Sequence, residues 1–150
     1  MVKITKTEEQ IRAELQNMLN HNIQSGPGTL EYLLRREIAE INVEEASVVY
    51  KFTIPQEVLN ETNTAHGGYV ASMFDEGMGY VARAFTCNGD TVKTADINLN
   101  CLSPGLANVD GTLHVQIIKS GKRLVVLRGE IYQGDRLVAI STGSYARVEY

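Results

Sequence analysis

The sequence predicts an α+β fold in which an antiparallel sheet curves around one long central helix, with an extra helix ahead of it. Three observations carry this. From His66 to about Thr86 runs a helical stretch in which Val70, Met73, Phe74, Met78, Val81 and Phe85 span much of the circumference, with Asp75, Glu76 and Arg83 its charged residues. A helix that is apolar on several sides must be buried on several sides. The chain after it reads as strand upon strand, separated by short Gly-containing turns of the kind that join antiparallel neighbours. Finally, 150 residues leave room for one core, at ~100–200 residues per domain.

Composition narrows the class. Hydrophobic residues at 43% and charged residues at 21% are ordinary for a globular chain and exclude disordered or collagen-like architectures. A net charge of −4 argues against a nucleic-acid partner, which would demand a basic face to displace counterions from phosphates. No apolar run approaches the roughly 18–20 residues that cross a bilayer. The start, MVKITKTEEQIRAEL, has no apolar signal core behind its lysines, so a cytoplasmic protein with no membrane partner is expected. Cys87 and Cys101 have neither disulfide-framework nor CxxC spacing and read as two buried thiols.

Taken in order, residues 1–28 form an N-terminal helical decoration on a domain spanning 1–150. Its helix runs from about Thr7 to His21. Thr7 and Gln10 have capping-box spacing, and Ile11, Leu15, Met18 and Leu19 recur on one stripe. This helix should dock on the sheet or rim the pocket, with no part in the chemistry. Ser25-Gly26-Pro27-Gly28 breaks it. From Arg36 to Ile54 the period changes: Ile38, Ile41 and Val43 lead into Glu44-Glu45, then Val48, Tyr50, Phe52 and Ile54 alternate with polar partners, which predicts a hairpin. Pro55 closes it and opens a polar loop through Asn60-Glu61-Thr62-Asn63-Thr64. After the long helix, strands are expected over Thr91–Leu102, Val109–Lys119, Arg123–Gln133 and Arg136–Val148, joined as an antiparallel meander.

The chemistry concentrates at the start of the long helix. Gly67 and Gly68 leave backbone N–H groups uncovered by any Cβ, and the first N–H groups of a helix have no internal partner. Such an end can cradle a carbonyl oxygen or oxyanion, although paired glycines also occur where backbones pass closely. Asp75 lies seven residues after Gly68, two turns along and facing nearly the same way. A carboxylate on a mostly apolar helix costs free energy to bury without partners. It is either a functional acid or a satisfied structural one, for instance at a subunit interface. Glu76 sits about 100° away around the helix, solvated or paired with Arg83.

The pattern Asn60, His66-Gly67-Gly68, Asp75, then Thr94-x-Asp96-x-Asn98, Ser103-Pro104-Gly105 and Gly121-Lys122-Arg123 resembles the hotdog-fold acyl-CoA thioesterases of the phenylacetic-acid-degradation type over roughly Arg36 to Val148. The resemblance implies hydrolysis of an acyl-CoA thioester to a carboxylic acid and coenzyme A. Gly67 N–H would polarise the thioester carbonyl, and Asp75 from the neighbouring subunit would be nucleophile or general base. Thr94 would hold the water, and Asn60 would lie near the carbonyl. His66, by the same resemblance, fixes the loop through its ring. Gly68 and Asn63 line the substrate site, and Lys122 and Arg123, with Lys119, either meet coenzyme A phosphates or form a solvated turn. Where relatives commonly have glycine three residues before the His, this chain has Asn63, a residue that tolerates left-handed backbone.

The resemblance implies no metal or redox cofactor, coenzyme A entering as part of the substrate; His21 and His114 show no metal-site spacing. Asp96 and Asn98, alternating with Ile97 and Leu99, read as a polar sheet face or subunit contact. A sheet cupped on one helix leaves edges and an open face to cover, so a homo-oligomer is expected, and the family adds a dimer of dimers. The competing readings are a non-catalytic acyl-CoA sensor on the same fold and, less favoured, a hydroxyacyl-thioester dehydratase, whose catalytic His belongs to a different motif.

Overall fold

In the computed structural model, which describes residues 2–149, Thr7 opens the first helix as its spacing predicts. Its side chain accepts from Gln10 N–H at 3.2 Å and its own N–H donates to Gln10 Oε1 at 2.9 Å, a reciprocal capping box. Helix α1 spans Glu8–Gln24, three residues beyond His21, because Ser25 still bonds back to His21 O. A single turn of helix, α2 (Leu30–Leu33), follows under a Thr29 cap. Helix α3 covers Gly67–Thr86 with His66 as its N-cap. The strands are β1 (Glu37–Asn42), β2 (Ser47–Thr53), β3 (Thr91–Cys101), β4 (Asp110–Ser120), β5 (Leu124–Gln133) and β6 (Arg136–Val148).

All six strands form one antiparallel sheet in the order β1-β2-β4-β5-β6-β3. The expected four-strand meander is therefore only three strands long. β3 pairs with β6 at the far edge and does not touch β4. The physical reason lies in residues 102–109, too long for a tight hairpin and anchored elsewhere. Leu102 and Ser103 N–H both bond to Val138 O, and Gly105 O accepts from Ala65 N–H at 2.9 Å. Ser103-Pro104-Gly105 thus braces the loop that starts α3. A Cβ on Gly105 would lie 2.9 Å from Ile54 Cδ1 and 3.1 Å from Ala65 Cβ.

One face of the sheet packs on α3 through Val70, Met73, Phe74, Met78, Val81 and Phe85, all buried with Tyr50, Leu113, Val115, Leu127 and Tyr145. Sheet and helix approach closely at Gly129, where a Cβ would stand 2.9 Å from Phe74 Cδ1. Since Phe74 is fully buried and cannot swing aside, Gly129→Ala is expected to destabilise the fold by about 1–3 kcal/mol through overpacking. Calorimetry checks this, and an unchanged melting temperature would contradict the packing described.

Helix α1 docks on α3 and β1 rather than on the sheet face. Ile11, Leu15 and Leu19 are buried, and Lys6 Nζ donates to Ala84 O at 2.9 Å. Cys87 is buried as expected, but Cys101, at the end of the edge strand β3, is exposed. No helix among the described residues is long and apolar enough to cross a membrane.

Candidate active site

Within the loop before α3, the turn over residues 60–64 is organised around one side chain. Asn60 Oδ1 accepts from Thr62 N–H at 3.0 Å, Thr62 Oγ1 at 2.8 Å, and Thr64 N–H and Oγ1 at 3.2 Å each. That oxygen is committed to the turn, so only the Asn60 amide NH₂ could reach a ligand. Asn63 occupies the left-handed region at φ 58°, the conformation that glycine would adopt there and that asparagine tolerates. The His66 ring makes no capping hydrogen bond. Instead the loop is fixed through the backbone, His66 N–H donating to Val58 O at 3.0 Å.

Helix α3 then begins in the open. The first intrahelical bond recorded is Val70 N–H to His66 O, so the N–H groups of Gly67 and Gly68 precede any helical acceptor. Both residues are exposed, and a Cβ on either would meet nothing within 4 Å among the described residues. The glycine pair is thus not explained by packing among the described residues, none of which comes within 4 Å of either Cβ position.

Two turns on, Asp75 is half-buried and well partnered. Thr94 Oγ1 donates to Asp75 Oδ1 at 2.6 Å. The Tyr145 hydroxyl shares its one proton between Asp75 O at 2.9 Å and Oδ1 at 3.3 Å. Thr94 and Tyr145 are direct cross-strand partners on β3 and β6, next to a bulge between Thr94 and Asp96. The bulge changes the parity of β3: Ile97 and Leu99 pack on the core, and the extra residue lets Thr94 face α3 as well. Burial and the adjacent carboxylate push the Tyr145 phenol upward, so it stays a neutral donor. Asp96 and Asn98 are exposed on the edge strand.

Sequence reasoning missed a second polar cluster one residue along. Glu76 is not paired with Arg83. Its Oε1 accepts from Arg36 Nη1 at 2.8 Å and from Asn22 Nδ2 at 2.5 Å. The Arg36 guanidinium lies 4.6 Å from the Tyr50 ring centroid and 5.0 Å from that of Tyr80. Burial pushes both phenols up to about 12. This cluster ties α1 and the start of β1 to α3.

Asp75 and Thr94 are therefore brought together, and other expected site residues are not. Gly67 and Asp75 are eight residues apart on one helix, about 12 Å along its axis at 1.5 Å per residue. One carbonyl cannot touch both within a single chain. Lys122 and Arg123 sit in the β4–β5 turn, exposed. Arg147 links that turn to the far end of α3, with Nε donating to Gly121 O at 3.1 Å and Nη1 to Thr86 O at 2.9 Å. A cavity of about 600 Å³ opens between Ile23, Arg36, Phe52 and Gly111, but neither Asp75, Thr94 nor the glycine pair lines it. Among the described residues no three His, Cys, Asp or Glu side chains converge as a metal site.

Comparison with known proteins adds to this geometry. The family model of the thioesterase superfamily matches residues 62–140, a stretch that contains the glycine pair, Asp75 and Thr94. A Pseudomonas aeruginosa protein with a provisional esterase name is 30% identical over 104 residues, 67% of this chain and 75% of its own length. Two solved structures share the fold. One, from Ralstonia eutropha and named for a thioesterase related to phenylacetic acid degradation, has 21% identity and a TM-score of 0.76, covering 89% of this chain and 98% of that one. The other, a hypothetical thioesterase of Streptococcus pneumoniae solved with coenzyme A, has 23% identity and a TM-score of 0.68, covering 76% and 89%.

Proposed function

Because the chain belongs to the thioesterase superfamily, we propose that it hydrolyses an acyl-CoA thioester to the carboxylic acid and free coenzyme A. The observation that carries this is the Asp75 carboxylate, gripped through one oxygen by Thr94 at 2.6 Å on a helix whose N-terminal N–H groups stand open. An acid so held suits activation of a nucleophile. Open amides at a helix start suit a developing oxyanion, one such donor being worth ~2.7–4 kcal/mol in the transition state.

At about 12 Å apart on one helix, Gly67 and Asp75 would serve two different sites of one chain. The working unit is then a homodimer, alone or as a dimer of dimers, in which Gly67 N–H of one copy binds the carbonyl oxygen and Asp75 of the other acts on the carbonyl carbon. Either Asp75 takes a proton from water while the water oxygen attacks, or the carboxylate attacks and the resulting anhydride is hydrolysed. In both routes the C–S bond breaks and the thiolate leaves, to be protonated. Single turnover in heavy-oxygen water reveals direct attack when water opens the anhydride at the Asp75 carbon, because the acid then carries an unlabelled enzyme oxygen and the label enters Asp75; general-base attack always labels the acid. Thr94 steadies Asp75, and its oxygen can also hold the water. The Asn60 amide, Asn63, His66 and Gly68 border the carbonyl. Lys122 and Arg123, remote from Gly67 of their own chain, would meet the coenzyme A phosphates of substrate seated on another copy. The reaction takes water as its co-substrate and needs no metal or redox cofactor. A cytoplasmic site of action belongs to the same reading.

The test is release of free thiol from a panel of acyl-CoAs that includes aryl and medium-chain thioesters, with light scattering on the same sample. Turnover of at least one class by a particle larger than 16.6 kDa is expected. Tight binding with no thiol released from any member would favour a sensor instead.

A further inference from the structure

Tyr145 is 1% exposed, and a phenol so deeply buried costs free energy unless its hydroxyl is satisfied. The partners recorded for it are both on Asp75: the main-chain oxygen at 2.9 Å and Oδ1 at 3.3 Å. The fold makes room for this ring by omitting two side chains. A Cβ on Gly143 would stand 2.9 Å from Tyr145 Cε2 and 3.3 Å from its hydroxyl, and one on Gly79 would stand 3.3 Å from Cε1. The two glycines lie on different elements, β6 and α3, and together they form a slot that admits the ring in one orientation with its hydroxyl on the acid. Thr94, its cross-strand partner, reaches the same Oδ1 at 2.6 Å.

We propose that Tyr145 is a positioning residue for Asp75: with Thr94 it saturates Oδ1 and so turns Oδ2 toward the reacting atoms. It touches no substrate itself. One proton shared between the main-chain and side-chain oxygens of Asp75 holds the carboxylate beside its own helix carbonyl, which restricts the side-chain torsions as a Thr94 bond alone does not. Because burial and the neighbouring carboxylate keep the phenol protonated, the donor persists across the working pH range. The inference rests on the hydrolytic reading above and adds a residue to it.

The test is a double-mutant cycle with Tyr145→Phe, which keeps the ring and its slot and removes only the oxygen, in the wild-type and Asp75→Asn backgrounds. In the wild type kcat should fall roughly tenfold to a hundredfold, as expected of a reacting group displaced by a fraction of an ångström to 1 Å, with KM nearly unchanged. In the Asp75→Asn background the same change should cost less than about twofold, because the group it positions is gone. Equal losses in the two backgrounds, or no loss in the wild type, would overturn the proposal, since a packing role acts whether or not the acid is present. Crystal structures of wild type and Tyr145→Phe provide an arm that needs no turnover. The variant's Asp75 carboxylate should lose its single orientation, and an unmoved carboxylate would also overturn the proposal. If the wild type hydrolyses no acyl-CoA, the hydrolytic reading falls while this arm still decides whether Tyr145 positions Asp75.

Discussion

Asp75→Asn is expected to lower acyl-CoA hydrolysis by roughly 10²–10⁴-fold, the range for loss of a general base, and by more if the carboxylate is itself the nucleophile. The substitution is nearly isosteric. The asparagine oxygen can still accept from Thr94 and Tyr145, which donate to Oδ1 in the native protein, so fold, assembly and coenzyme A binding should survive. What it lacks is a lone pair basic enough to take a proton from water. Steady-state hydrolysis beside calorimetric binding of coenzyme A separates the two effects. Glu40→Gln, at an exposed position on β1, is the control and should hydrolyse at the native rate.

Glu76 is unsuitable as that control, and its own replacement should have a large effect of another kind. The Arg36 side chain is 0% exposed and that of Glu76 is 17% exposed. Two Arg36 nitrogens, Nε and Nη2, find no acceptor among the described residues, so Glu76 supplies the countercharge, with Leu34 O at 2.9 Å and two tyrosine rings as neutral company. Removing one partner of a buried pair strands the other, at a cost of ~3–5 kcal/mol when both are fully buried. The partial exposure of Glu76 puts Glu76→Ala near the lower end, about 3 kcal/mol, or ~6–12 °C in Tm for a chain of this size. Replacing Arg36 and Glu76 together by Met should recover part of that loss, because no stranded charge remains. A melting temperature for Glu76→Ala within a degree of native would show that the pair contributes little.

How much of this was written legibly in the chain depends on the distance over which each feature is decided. The capping box at Thr7 and Gln10 and the buried circumference of α3 are local patterns, and the structure places both where the residues do. Strand pairing is not local. Four long strands in succession favour a meander, yet the backbone bonds of residues 102–105 to Val138 and Ala65 carry β3 to the other edge. Glu76 offers the same lesson. Arg83 is the nearby cation in sequence, whereas the true partner, Arg36, is 40 positions away. Residue type alone predicts a buried Cys101, and its exposure follows from the edge position of β3, which no periodicity reveals.

At the site, the glycine pair and Asp75 stood out because glycines and a carboxylate are unusual on an apolar helix. The contact of Thr94 with Asp75 had a subtler trace. Apolar residues of β3 fall at Val92, then at Ile97 and Leu99, so the alternation slips by one residue between them, and the bulge between Thr94 and Asp96 is that slip. Tyr145 left no comparable mark, being one more aromatic residue in an alternating strand. Its significance arises from Gly79 and Gly143, 64 positions apart, meeting around its ring.

If Gly67 of one copy and Asp75 of another form one active site, subunit complementation should restore it. Gly67→Pro deletes the N–H donor with little other disturbance. Proline is accepted at the first position of a helix, His66 before it has the extended backbone (φ −54°, ψ 137°) that a following proline requires, and open space surrounds the Gly67 Cβ position. Alone, Gly67→Pro and Asp75→Asn should each be nearly inactive. Co-expressed, they should form mixed dimers in which one site has both defects and the other has neither. Random assortment makes half the dimers mixed, so specific activity should return to about a quarter of wild type. Activity no higher than the average of the two parents, in a preparation shown by mass spectrometry to contain the mixed dimer, would contradict the two-copy site.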